Sequence, residues 1–252
     1  MTRITDTVKV LIIINVIFYI GSQIIGSSMA IQLFGLWFPQ NPNFQIWQPL
    51  THMFMHDQSG IGHILFNMFG LWMFGSPVEQ AFGQKKFIFF YFSAGLGAAL
   101  IHTLVGYIDY QQGYRALVAA GMNPEGIPGL LSQIASTGSA NLPEGVSVDT
   151  IRDMYSSFAI PAVGASGAVY GILVAFGMLY PNMELMLIFF PIPIKAKIFI
   201  PLLILGDLFS GITGSSFLGQ NVANWAHIGG ALSGFIMVWY WKKNSFNDKR
   251  WY

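Results

Sequence analysis

The chain has 252 residues, 54% of them hydrophobic and 9% charged, where a soluble domain carries about 25% charged residues. A net charge of +1 says nothing about nucleic acid and no basic run suggests a groove for it, while the absence of cysteine excludes disulfides, thiolate metal sites and cysteine nucleophiles. The composition is that of one polytopic membrane domain, an all-α bundle crossing the lipid bilayer.

Six apolar segments lie at about 9–32, 62–80, 86–107, 165–180, 197–213 and 225–242. The first follows Arg3 and Lys9 like a signal peptide. No A-x-A site follows it, so it reads as a retained helix. Residues 33–61 carry Phe34, Trp37, Phe38, Phe44, Trp47 and Phe54 and read as a segment lying in the outer interface. Residues 108–160 form an outer-face insertion rich in Gly, Pro and Ser. One short helix is expected there, Val148–Ala159, with the remainder as loop. The fourth segment is short. Its fifteen residues, Ser166–Tyr180, span about 22 Å against a hydrocarbon core of about 30 Å. If the far end reaches the opposite face, Ser166 starts roughly 10 Å deep, where non-helical backbone must lie in protein or beside water. Of the 12 lysines and arginines, ten fall on one side when the N-terminus is placed inside, and only Arg115 and Arg152 fall outside. That bias puts both termini in the cytoplasm and Ser166 near the outer face.

Ionisable groups at membrane depth default to functional hypotheses. His63 and Asn67 are spaced i, i+4 and share a helical face. His227 lies in "NWAHIGGALSGF", where Ala226, Gly230 and Gly234 form a small-residue face. The fourth segment has Gly167, Gly171 and Gly177. Small faces let two helices approach closely, which would bring Ser166 and His227 together. A glycine-flanked serine in a membrane helix is more often a packing residue than a nucleophile. As a nucleophile, Ser166 would use His227 as base, with His63, Asn67 and the Ser166 N–H as donors to an oxyanion. The His52-x-x-x-His56 spacing fits a metal, but no acidic third ligand lies near and no His-Glu-x-x-His occurs. No metal and no cofactor are expected. Asp207 and Glu79 lie near expected helix ends, where capping or snorkelling accounts for them, and His102 reads as bonding a neighbouring helix.

His63-x-x-x-Asn67 in the second segment, Gly164-x-Ser166-Gly167 in the fourth and Ala226-His227-x-x-Gly230-x-x-x-Gly234 in the sixth occur in the order, spacing and placement of a known family. With "WQPLTHMFMH" at Trp47–His56, the chain resembles the rhomboid intramembrane serine proteases. The resemblance implies a six-helix fold and a Ser166–His227 dyad without an acid. It implies an oxyanion site of His63, Asn67 and the Ser166 N–H, and a Tyr170 ring that orients the histidine by stacking. It further implies pocket glycines Gly164, Gly167, Gly230 and Gly234. The fifth helix would be a lateral gate, and residues 214–223 a cap. The implied substrates are single-pass membrane proteins, and the implied location is a bacterial cytoplasmic membrane.

The chain departs from the family at Gln48, where arginine is usual, in the slightly longer link Met55–His63, and in the long insertion. A non-catalytic relative that binds membrane helices is the rival reading. Such relatives typically lack the serine or the histidine, and both are present here. A transporter fits worse, since charged pathway residues and paired broken helices are missing.

Overall fold

The computed structural model describes residues 3–187, 190–214 and 223–248. All six apolar segments are helical, with altered ends. The first divides at Gly26, whose φ of +95° separates α1 (Asp6–Ile25) from α2 (Ser27–Phe34). Glu79 caps the start of α1. Its carboxylate accepts the Thr5 hydroxyl and the N–H groups of Thr7 and Val8, meeting the orphan donors and positive pole of a helix N-terminus. After α3 (Gln48–Thr51), the second segment runs as α4 (Gly62–Gly70), a π turn over Leu71–Gly75 and α5 (Ser76–Phe82), with helical dihedrals at both joints. The third is α6 (Gln84–Ala119), twelve residues longer at its end than the apolar run predicted.

The insertion is correspondingly more helical than its composition suggested. Beyond α6 come a 3-10 turn at Pro124–Gly126, α7 (Ile127–Thr137) and the expected α8 (Val148–Ala159). Its prolines and glycines punctuate helices rather than break them. Pro128 sits in the first turn of α7, where a missing N–H costs nothing, and Gly138 ends α7 in the left-handed conformation. Leu117, Ile127, Leu130, Leu131, Ile151 and Met154 bury a small core of their own there.

The fourth segment is α9 (Ser166–Leu179), followed by an antiparallel hairpin of β1 (Glu184–Leu187) and β2 (Phe190–Lys195), with Glu184 opposite Lys195. Then come α10 (Ala196–Thr213) and α11 (Asn224–Asp248). Residues 215–222, most of the stretch expected to cap the site, lie outside the described residues.

Helix α9 is the central pillar. Every residue from Gly167 to Phe176 is buried, with α6, α10, α11 and the second segment packed around it. Outward faces are apolar instead. Ile17, Ile24, Phe66, Leu202, Phe209, Ile212 and Ile236 are all exposed, an arrangement that a water-facing monomer does not tolerate and lipid does. Among the described residues, three helices are individually long and apolar enough to cross a membrane: Asp6–Ile25, Gln84–Ala119 and Ala196–Thr213. Ser166–Leu179 is apolar but shorter. The chain is an integral membrane protein with an almost wholly helical fold.

Candidate active site

Ser166 is the half-buried first residue of α9. Two backbone links steer the chain into it. Leu36 and Ala162 exchange N–H···O bonds of 2.9 and 3.0 Å, and the Gly164 N–H donates to the His52 carbonyl at 3.0 Å. Gly164 adopts φ +127°, which a side chain rarely tolerates. A Cβ there would stand 2.9 Å from His63 Nε2 and 3.5 Å from Ser166 Oγ. The missing side chain therefore leaves a small space flanked by the His63 ring and the Ser166 hydroxyl.

His63 presents a donor to that space. Its Nδ1 accepts the Asp57 N–H at 3.1 Å, which leaves the proton of the neutral ring on Nε2. The His56 ring stands edge-on to His63 at 5.2 Å. His56 is fully buried, and burial pushes its imidazole down to about 3. His52 is held down to about 4 for the same reason. Both rings are therefore neutral near pH 7, as suits packing beside the site rather than proton transfer. Asn67 is buried, and its amide donates to the His63 carbonyl one turn earlier at 2.8 Å. His102 lines a small cavity with Trp37, Gly106 and Ser157, a cavity that Ser166 does not line. No group of three His, Cys, Asp or Glu side chains suited to a metal occurs among the described residues.

The histidine arrives from α11. A Cβ on Gly230 would collide with the Gly167 carbonyl, and one on Gly234 would come within 2.7 Å of the Gly171 Cα. Only glycine permits this approach, and Gly167 in turn lies against Ala98 and the Ala226 carbonyl. The contact sets His227 Nε2 2.9 Å from Ser166 Oγ. Tyr170, one turn along α9, stacks on the imidazole with centroids 4.1 Å apart and planes 11° apart.

The third side of the ring holds a residue that the sequence reading assigned elsewhere. Asp207 Oδ2 lies 3.3 Å from His227 Nδ1. Asp207 is not at a helix end but inside α10, and only 1% of its surface is exposed. A single acid within the apolar run "PLLILGDLFSGI" was the available signal. A hydroxyl hydrogen-bonded to an imidazole, with a second imidazole N–H beside the reaction space, is equipped for acyl transfer to serine.

A family model described as Rhomboid domain matches residues 43–244. Rhomboid protein 1, mitochondrial, of Saccharomyces cerevisiae is 31% identical over 83 residues, covering 33% of this chain and 23% of the yeast protein. The match thus spans less than a quarter of that relative's length.

Proposed function

The chain belongs to the rhomboid family, and we propose that it is a serine endopeptidase that cuts single-pass membrane proteins within the bilayer, near the outer ends of their spans. Members of this family are generally serine intramembrane proteases. The observation that carries the reading is the 2.9 Å contact between Ser166 Oγ and a His227 ring stacked on Tyr170.

Ser166 Oγ attacks the scissile carbonyl carbon, and the carbonyl electron pair moves onto oxygen. The hydroxyl proton passes to His227 Nε2, then to the departing amide nitrogen as the C–N bond breaks. Water then attacks the acyl carbon as His227 Nε2 takes its proton, and Ser166 Oγ leaves with that proton as the acyl–oxygen bond breaks. The developing oxyanion is held by the Ser166 N–H, by His63 and by Asn67. The Ser166 N–H is one of the orphan donors at the start of α9. Tyr170 fixes the plane of the imidazole. Gly164 leaves room for the tetrahedral centre, and Gly167, Gly230 and Gly234 bring the two helices together. Neither metal nor other cofactor has a part. Six helices cross the membrane, with residues 108–160 on the outer face and both termini in the cytoplasm. The lysine and arginine bias supports that orientation, and a bacterial cytoplasmic membrane fits it.

A substrate helix hides its carbonyls in its own hydrogen bonds, so cleavage belongs where glycine, proline or polar residues weaken it. The narrow space beside Gly164 favours a small residue before the cut. A fluorophosphonate should label Ser166 covalently. Ser166→Ala and His227→Asn should each lower cleavage of a model transmembrane substrate by several orders of magnitude. Mass spectrometry should place the cuts at small residues near the outer end. A well-folded Ser166→Ala protein that still cuts refutes the assignment. Unlabelled serine and no cleavage of any substrate would favour the non-catalytic relative.

A further inference from the structure

The Ser166–His227 pair does not account for the buried acid on α10. We propose that Asp207 is a positioning residue for the Ser166–His227 pair, an acceptor that fixes the tautomer and orientation of the His227 ring. The proposal rests on the function proposed above and deepens it.

Three observations meet at the imidazole. Nε2 is occupied by the Ser166 hydroxyl at 2.9 Å, and Nδ1 faces Asp207 Oδ2 at 3.3 Å. One face of the ring is covered by Tyr170, whose hydroxyl lies beside the same carboxylate. Asp207 is brought in from a different helix, 20 residues before His227 in sequence. An ionisable side chain within a span is costly and ordinarily faces a partner in the bundle interior. Here Asp207 points inward while Leu205 and Phe209, two residues to either side, are 57% and 62% exposed.

The chemistry follows from the two ring nitrogens. A neutral imidazole carries one proton and can hold it on either nitrogen. Only the Nδ1–H form has a lone pair on Nε2 to accept the serine proton. An acceptor at Nδ1 selects that form and later faces the imidazolium that the transfer creates. Asp207 itself gains and loses no proton. The Nδ1 hydrogen stays on Nδ1 throughout, and the travelling proton moves only between Ser166 Oγ, His227 Nε2 and the leaving nitrogen. Charge-assisted N–H···O bonds are commonly about 2.7–2.9 Å. At 3.3 Å the contact is looser, and it is expected to tighten as the ring gains charge.

Asp207→Asn preserves shape and removes the charge. Purified in detergent, this variant should show kcat for a transmembrane substrate lowered by about 10–1000-fold, less than the roughly 10⁴-fold seen for a tight triad. KM should stay within about threefold, because Asp207 contacts His227 rather than substrate. The second-order rate of Ser166 labelling by a fluorophosphonate should fall in parallel with kcat. Asp207→Glu restores the charge one methylene longer and should exceed Asp207→Asn in both measurements. That ordering stays informative even if both variants are less stable. A labelling rate for Asp207→Asn equal to wild type, or Asn matching Glu, overturns the proposal. Ser166→Ala is measured alongside. If it still cleaves, the proposed function itself fails. If it is inactive while Asp207→Asn is unimpaired, only the role of Asp207 fails.

Discussion

Gln48 offers a quantitative test of how the segment before the second helix holds the site. Its side chain is fully buried and knots that segment together. The amide nitrogen donates to the carbonyls of Asn43 at 2.8 Å and Gln32 at 3.1 Å, with a longer contact of 3.4 Å to Leu33. The amide oxygen accepts the Trp37 N–H at 3.3 Å. The residue next to Trp37, Leu36, pairs with Ala162 on the approach to Ser166, so the knot bears on the placement of Ser166. Gln48→Ala removes two good hydrogen bonds, each contributing about 1 kcal/mol. It also leaves backbone groups unpaired in a site with little water, each costing about 1–3 kcal/mol when fully orphaned. A destabilisation of about 3–4 kcal/mol follows. For a chain of this size that corresponds to a fall of about 10 °C in Tm, measured by thermal unfolding in detergent. Gln48→Met, which fills the space without the bonds, should recover less than half of the loss. A fall of under about 2 °C for Gln48→Ala would refute the idea that these bonds hold the segment, since burial alone would then explain the residue.

Gly230→Ala pushes a methyl group into the Gly167 carbonyl. It should destabilise by about 1–3 kcal/mol and cut cleavage at least tenfold by parting Ser166 from His227. Full activity at wild-type Tm would mean that the two helices do not need this contact. Asn67→Ala should lower kcat by about 10–1000-fold without abolishing it, as expected for one of several oxyanion donors. An unchanged kcat would reduce Asn67 to its hydrogen bond with the His63 carbonyl.

What could be read in the sequence was local. The short span beginning at Ser166, the i, i+4 pair of His63 and Asn67, and the four-residue step from Ala226 through Gly230 to Gly234 all lie within a few helical turns. Helix periodicity alone then predicts shared faces. Glycine and proline misled in the insertion, because the same residues that break a helix interior also mark its first turn and its end. Pro128 and Gly138 do the latter. The role of Gln48 was hidden for a different reason. Its partners are backbone carbonyls of Gln32, Leu33 and Asn43, groups that every residue possesses and no sequence distinguishes.

Asp207 is the most instructive case, since its contact with His227 joins two helices and no spacing rule links positions 207 and 227. Yet the cost of an acid in a span is itself a sequence-level signal. A residue that the bilayer penalises persists there only if something in the bundle interior compensates. Among the polar groups of this protein, Glu79 answers that demand by capping α1, and Gln48 by tying backbone. Asp207 does neither: the structure sets it against the imidazole that already touches the serine. The contact between α9 and α11 is made without Asp207, by Gly230 and Gly234. Under the proposed function, the acid is better explained by the proton that His227 would accept than by the stability of the bundle. On that reasoning, Asp207→Asn should leave the fold as stable as before or more so, while slowing the chemistry.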